Sequence, residues 1–508
     1  KPPPPPEHYT LTRSSAASDV YKRQLCEPWG ACPLASLARP ARIPGKAPGT
    51  RMPMPGAWAV ALAAALLLPD PGSPAEEVRD LPGYAGSAPT DGPEAFTPRE
   101  TGQQPGASLT VYLMTIGQGD AIWERFGHNA IWIQDESTGR GVAYNWGMFD
   151  FDQVDFIPRL MRGTMLYWMA PRDPAASLQE SRWTNRPVWI QELALTPEQK
   201  AELQAFVEWN ALPENSHYRY DYYRDNCSSR VRDALDRVLD GQLKQVASQR
   251  KTDHTYRWHT RRLLRDMPAA YLGIQFVLGP DADKPLTGWE EAFLPIRLMD
   301  EIRNVEVPDG EGGVRPLVVR ERELVTSSRP PEPSDVPSAF PLFLLVGLLW
   351  GGAVLALSRN GVERGFLARL SLLALAGGWA LLASIGGTVL LLAWLFTDHV
   401  FWYKNLNLLQ VNPFFLPLAV AYLLVLFPGS FPRWARDLAV ALGILAGVGL
   451  LLGIIPGIGQ VNGEILALTI PVNGALVVGS FWLFDSSGTR PALSRTAVSE
   501  VRSEPGPR

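Results

Sequence analysis

A chain of 508 residues has room for two or three domains, and 19% charged residues beside 46% apolar ones is too few charges for an ordinary soluble protein. The deficit lies in the C-terminal third, so a soluble part joined to a membrane part is expected. A net charge of −4, without a basic patch, argues against a nucleic-acid partner.

Residues 1–51 have no starting Met, open on a proline run and show no hydrophobic period, and Asp19 to Gln24 reads like translated adaptor sequence. The expected start is Met52 or Met54. The apolar run from Met54 to Pro69 suits a signal-peptide core and is short for a membrane span, and Ser73-Pro74-Ala75 supplies small residues for cleavage. Residues 52–75 are therefore expected to be a signal peptide, with an uncleaved anchor as the alternative. The Pro/Gly-rich stretch 76–107 is expected to be a disordered leader. Cys26 and Cys32 fall in the doubted stretch, which leaves Cys227 with no disulfide partner.

A soluble domain is expected over 108–325. Leu109 to Ile116 alternates and is rich in β-formers, and His128 to Gln134 reads as a second strand. On that second strand His128, Ala130 and Trp132 share one face and Asn129, Ile131 and Ile133 the other. Gly141 to Trp146 returns as a third strand paired with the second, which would bring Asn145 or Tyr144 close to His128. Thr196-Pro-Glu-Gln199 is a helix start with its capping box, and that helix should reach Asn210. After the aromatic run Tyr218 to Tyr223, Val231, Ala234, Leu235 and Val238 recur at helical spacing and Gly241 stops them. Cys227 thus stands where the chain enters an amphipathic helix. Free N–H groups and the helix dipole at such a position favour a thiolate, so a lowered thiol pKa is expected, with the N–H of Cys227 or Ser228 available as an oxyanion donor. The plainer reading is a cysteine that only packs the helix on the sheet.

Six histidines are present. His217 lies in a loop that could also reach the thiol, and His254 and His259 lie in a loop or strand. No His-Glu-x-x-His and no cysteine pair suggests a metal, so neither metal nor cofactor is expected.

Four stretches together carry a resemblance: Thr115-Ile-Gly-Gln-Gly-Asp120, Arg125-Phe-Gly-His-Asn-Ala130, Tyr144-Asn-Trp-Gly-Met-Phe-Asp-Phe151 and Tyr220-Asp-Tyr-Tyr-Arg-Asp-Asn-Cys-Ser-Ser-Arg230. Over about 108–300 the chain resembles the Lnb N-terminal periplasmic domain, formerly a domain of unknown function, whose reference members are lipoprotein N-acyltransferases. The resemblance implies an α+β, papain-like fold of the NlpC/P60 type, permuted so that His precedes Cys. It implies His128 as base and Cys227 as nucleophile. The third residue is Asn145 by strand geometry, with Tyr144 as the alternative. Tyr220, Arg224, Asp225, Asn226, Arg125 and Asn129 are the candidate substrate contacts within these motifs.

A linker at 326–337 leads to five apolar segments, at 338–357, 368–396, 414–428, 437–456 and 466–485, so an all-α five-helix membrane bundle over 338–485 is expected, with a cytoplasmic tail at 486–508. Arg359, Arg364, Arg433 and Arg436 fall on one side and Lys404 alone on the other, which puts the soluble domain outside. The outer loop Asp398 to Pro413 is aromatic and polar. It reads as an interfacial belt or as a lipid-receiving lid with His399 and Asn405 as contacts. The function this implies is a thiol acyltransferase, multi-pass in a bacterial inner membrane, that takes an acyl chain from phospholipid and passes it to a lipoprotein amine. The alternatives are a Cys amidase or endopeptidase acting on peptidoglycan or membrane peptides, and a non-catalytic envelope sensor or scaffold.

Overall fold

Leu109, Val111 and Leu113 point to one side of the first strand and Met114 and Ile116 to the other, and all are buried. A strand covered on both faces needs a layer on each. In the computed structural model this strand, β1 (Leu109–Ile116), lies within a seven-stranded sheet of order β6-β4-β3-β2-β1-β5-β9, antiparallel at every pairing. The partners are β2 (His128–Asp135), β3 (Arg140–Met148), β4 (Leu166–Arg172), β5 (Val188–Leu193), β6 (His217–Arg219) and β9 (Val318–Val325). A hairpin, β7 (Glu306–Pro308) with β8 (Val314–Pro316), stands apart. The structure describes residues 104–153, 155–336, 338–359, 365–427, 431–455 and 458–488, all within the unit Met54–Arg508. The expected leader, signal peptide, Cys26, Cys32, Arg364 and most of the tail lie outside the described residues.

Helix α1 (Phe156–Arg162) follows β3, α2 (Pro174–Trp183) follows β4, and α3 (Pro197–Asn210) follows β5. The start of α3 carries the expected capping box: Thr196 accepts from the Gln199 N–H while Gln199 accepts from the Thr196 N–H. Helix α4 (Cys227–Val238) lays Val231, Ala234, Leu235 and Val238 on the odd-numbered face of β1 and β2, against Leu113, Ile131, Tyr144 and Trp146. The opposite face packs Met114, Ala130, Ala143 and Ile190 against Leu178 of α2. Helices α5 (Gln242–Gln249), α6 (Tyr256–Leu263), α7 (Pro268–Val277) and α8 (Pro295–Ile302) complete the soluble part. His254 and His259, expected in a loop or strand, flank the start of α6, where Thr255 caps the helix through the Trp258 N–H.

Among the described residues, four helices are long and apolar enough to cross a membrane: α9 (Phe340–Arg359), α10 (Phe366–Phe396), α12 (Arg433–Leu452) and α13 (Gly463–Gly488). The third expected segment differs. Its helix, α11 (Phe415–Leu423), runs on only to Leu426, about 18 Å against a hydrocarbon core of about 30 Å. Beside it lies a segment built on a short 3₁₀ turn, Leu406–Leu409. Asn405 to Asn412, expected in an outer loop, is buried within the bundle. Gln410 donates to Ala446 O at 2.9 Å, deep in α12, and its carbonyl accepts from Asn473 at 2.9 Å, deep in α13. Backbone outside an α-helix at that depth must be satisfied by protein, and carboxamides of this segment and of α13 do this. Asn462 donates to Asn407 Oδ1 at 2.8 Å, and Asn405, Asn407 and Gln460 reach back to the carbonyls of Phe276, Val277 and Leu278 in the soluble part. Gly387 leaves no room for a side chain where Asn412 crosses α10.

Candidate active site

The pairing of β2 with β3 ends at Ala130↔Asn145, and the register of β3 then shifts between Asn145 and Met148. Gly147 lies inside this irregularity with φ +86°, and a Cβ there would come 3.2 Å from Cys227 Cβ. The first residue of α4 therefore fits against β3 only because position 147 has no side chain. Asn226 holds α4 in that place. Its Oδ1 accepts from the N–H groups of Ser228 and Ser229, both at 2.9 Å, and its Nδ2 donates to Tyr222 O and Phe293 O. Ser228 Oγ lies 2.8 Å from Asn129 Oδ1, and Asn129 Nδ2 donates to Thr115 Oγ1 at 2.9 Å. The helix start is thus pinned to β1 and β2 beside His128.

His128 Nε2 and Asn145 Oδ1 are 3.0 Å apart. Asn145 Nδ2 donates to Ala143 O at 2.9 Å, so the atom facing the imidazole is the carbonyl oxygen, an acceptor only. His128 must then carry its proton on Nε2, which leaves Nδ1 with a free lone pair. Tyr144 points to the opposite face, into the core beneath α4, and burial holds its phenol up at about 12. Asn145, not Tyr144, is the neighbour of the imidazole.

Both Cys227 and His128 are packed about by protein yet keep some solvent contact. Burial pushes the Cys227 thiol up, and the N–H groups of Asn129 and Ser228 and the Arg186 guanidinium oppose it without prevailing. The helix start does not deliver the lowered pKa expected from its dipole, because desolvation is the larger effect here. Burial lowers His128 to about 4 against the supporting bond to Asn145. Both groups are neutral at pH 7, so the site holds a thiol and a free base rather than a preformed ion pair.

Arg186 was not singled out by any sequence pattern. It stands in the turn before β5, where the pairing Ile116↔Val188 places it beside Gly117, and its Nε donates to Gly117 O at 2.9 Å while Glu124 pairs with it at 3.4 Å. Its charge favours the anion of Cys227 and disfavours a cation on His128. Only the register of β1 with β5, which local sequence does not carry, could have revealed it.

Of the other expected contacts, Tyr220 stacks on Tyr167 with centroids 4.1 Å apart. Arg224 is exposed and lies 4.8 Å over the Phe401 ring. Asp225 forms a two-pronged ion pair with Arg230, and burial raises its carboxyl to about 6 against that pair. Arg125 has a buried Nε without a hydrogen-bond partner. Asn129 and Asn226 are spent on the helix start. Asn405 donates to Phe276 O and Val277 O and accepts from the Asn407 N–H and Gln460 Nε2, which leaves it no polar capacity for a substrate. His399 donates to Leu160 O at 2.8 Å and stacks on Trp402.

One further cluster gathers ligand-type atoms within 4.8 Å: His254, His259 and Glu291. Both imidazoles donate to Glu291 Oε1, at 2.7 and 2.8 Å, Arg250 holds Oε2, and Arg262 donates to His259 Nδ1. Two guanidiniums and a shared acceptor make this a closed ion-pair network that joins α6 to the Glu291 turn.

A family model matches part of the chain. Residues 96–266 match the Lnb N-terminal periplasmic domain. The matched stretch spans β1 to α6 and so holds Cys227, His128 and Asn145 together. The match covers about a third of the chain, and behind it, among the described residues, stand four helices long and apolar enough to cross a membrane, which together suggest a membrane protein with a domain similar to the Lnb periplasmic domain. No curated protein and no solved structure matches the chain.

Proposed function

We propose that the protein is a thiol acyltransferase of a bacterial inner membrane, with a permuted papain-like site in which Cys227 is the nucleophile, His128 the base and Asn145 the residue that orients the imidazole. The observation that carries this reading is the His128–Asn145 bond, which leaves Nδ1 as the basic nitrogen of an imidazole one residue before the Asn129 N–H that favours the Cys227 anion.

The reaction runs in two transfers. As the sulfur of Cys227 attacks an ester carbonyl of a lipid, its proton passes to His128 Nδ1. The tetrahedral adduct is met by the Cys227 N–H at the start of α4, the ester C–O bond breaks, and the leaving alkoxide takes the proton back from His128. A thioester on Cys227 remains. An amine, such as the N-terminal amine of a lipoprotein, then attacks that carbonyl. The C–S bond breaks, an amide forms, and the amine proton returns through His128 to the sulfur. General-base help of this kind is worth about 10²–10⁴ in rate. Membrane spans suit such a reaction because donor and acceptor are both held in lipid.

The test is genetic and chemical. In a strain lacking this protein, the wild-type chain should restore N-acylation of lipoprotein N-termini by mass spectrometry, and Cys227→Ala should not. Full restoration by Cys227→Ala would remove thiol chemistry from the account. Restoration of growth with an unchanged acylation state would remove the lipoprotein acceptor.

A further inference from the structure

One surface of the domain holds none of the reacting groups and faces outward. On α1, Ile157, Leu160 and Met161 are spaced i, i+3, i+4, so they share a face, and all three are exposed, Ile157 and Met161 to 61% each. Trp123 and Phe151, both exposed, adjoin the start of the same helix: the ring centroids of Phe151 and Phe156 are 5.3 Å apart, and those of Trp123 and Phe151 are 5.5 Å apart. A contiguous apolar surface of this kind is a docking surface.

What covers it follows from where α1 ends. Its last turn is fastened to the residues just beyond the span α10. The Asp398 N–H donates to Arg162 O at 2.7 Å, and His399 donates to Leu160 O at 2.8 Å. Gly163, with φ +73°, packs so closely on Asp398 and His399 that a Cβ would lie 3.0 Å from their backbone. Arg219 ties Gly163 O to the Asp398 carboxylate. The span itself finishes on Leu395 and Phe396, both exposed, Phe396 to 72%. The open face of α1 is therefore held at the outer mouth of α10, in continuity with a lipid-facing surface. Arg159 and Arg162 sit in its last turn, and long basic side chains of this kind can reach lipid phosphates while their stems lie on apolar surface.

We propose that α1 is an interfacial helix whose Ile157, Leu160 and Met161 face is buried in the leaflet on the domain's side, and that the aromatic side chains behind it lead a lipid acyl chain to Cys227. The route is continuous. Phe156 stacks on Phe149 at 6.4 Å, Phe149 on Tyr167 at 5.0 Å, and Tyr167 on Tyr220 at 4.1 Å. Phe149 stands two residues beyond Gly147, which abuts Cys227. The occupant is the alkyl chain of a membrane lipid, and the delivery step rests on the acyltransferase reading. The depth of α1 does not rest on it.

The test uses the full chain in phospholipid nanodiscs. With Cys26, Cys32 and Cys227 replaced by Ser, spin labels are placed singly at Ile157→Cys, Met161→Cys and Ser137→Cys, the last in the β2–β3 turn at the far end of the sheet. Dissolved oxygen, which concentrates in lipid, should relax the labels at 157 and 161 more than a water-soluble nickel chelate does, and the order should reverse at 137. Labels at 157 and 161 that behave like the one at 137 would overturn the proposal. In the Cys227-containing chain, Ile157→Ser with Met161→Ser should cut thioester formation from a bilayer-embedded donor roughly tenfold. Labelling of Cys227 by a small water-soluble maleimide should stay unchanged. An equal fall in both readouts would mean that the pair shapes the site and not the route, and would overturn the delivery step. Lipid-level labels with no acyl transfer by any variant would instead count against the acyltransferase reading while the interfacial helix stands.

Discussion

The carboxamide of Asn145 decides which nitrogen of His128 is basic, and burial decides how basic it is. With His128 at about 4, the imidazole stays neutral from pH 7 down to pH 5. The acid limb of kcat/KM should therefore fall near pH 4, and a limb near the ordinary histidine value would contradict a buried base. Because burial also raises the Cys227 thiol, its alkylation by iodoacetamide should climb steadily through the alkaline range, without the neutral plateau of a preformed thiolate. Asn145→Ala should lower kcat by up to about a hundredfold through loss of orientation, with little change in KM. The sequence carried the pairing of Asn145 with His128 because both lie on one face of adjacent strands, and period-two alternation is a local signal. It did not carry the direction of the thiol pKa. A helix start is visible in residues 226–229, whereas the packing that desolvates Cys227 comes from β2, β3 and the turn holding Arg186.

Between elements, the fit of α4 on β3 depends on two residues. Gly147→Ala would force a side chain onto Cys227 Cβ from a backbone with φ +86°, which costs about 1–2 kcal/mol in conformation alone. It should lower the melting temperature and slow maleimide labelling of Cys227 together. Asn226→Ala removes the cap from Ser228 and Ser229 and frees the carbonyls of Tyr222 and Phe293, for a loss of about 2 kcal/mol, read by thermal unfolding. The strands β1 to β3 and the helices α3 and α4 were legible from alternation, capping and 3.6-residue spacing. The third membrane segment was not. A hydropathy scan registers Phe415 to Leu426 as apolar, yet cannot see that polar Asn405 to Asn412 descends into the bundle, because its carboxamides are satisfied by α12, α13 and the soluble domain.

At the scale of the whole molecule, those carboxamides join the α+β domain to the apolar helices. Asn405→Leu would take away the side-chain partners of the Val277 carbonyl and the Asn407 N–H, at about 1–3 kcal/mol for each buried group. Limited proteolysis should then open the α7 region, and acyl transfer from a bilayer donor should fall while Cys227 stays reactive to a soluble reagent. On the proposed function this hydrogen-bonded joint would set the height of Cys227 above the lipid, so the chemistry of one residue would depend on where the domain is held. The most direct test is to incubate the full chain in nanodiscs with an alkyne-labelled phospholipid and no amine acceptor, then locate the label by mass spectrometry. The account predicts a hydroxylamine-sensitive acyl thioester on Cys227, absent from Cys227→Ala and strongly reduced in Asn145→Ala. A chain that stays unlabelled, or a label that persists in Cys227→Ala, would contradict it.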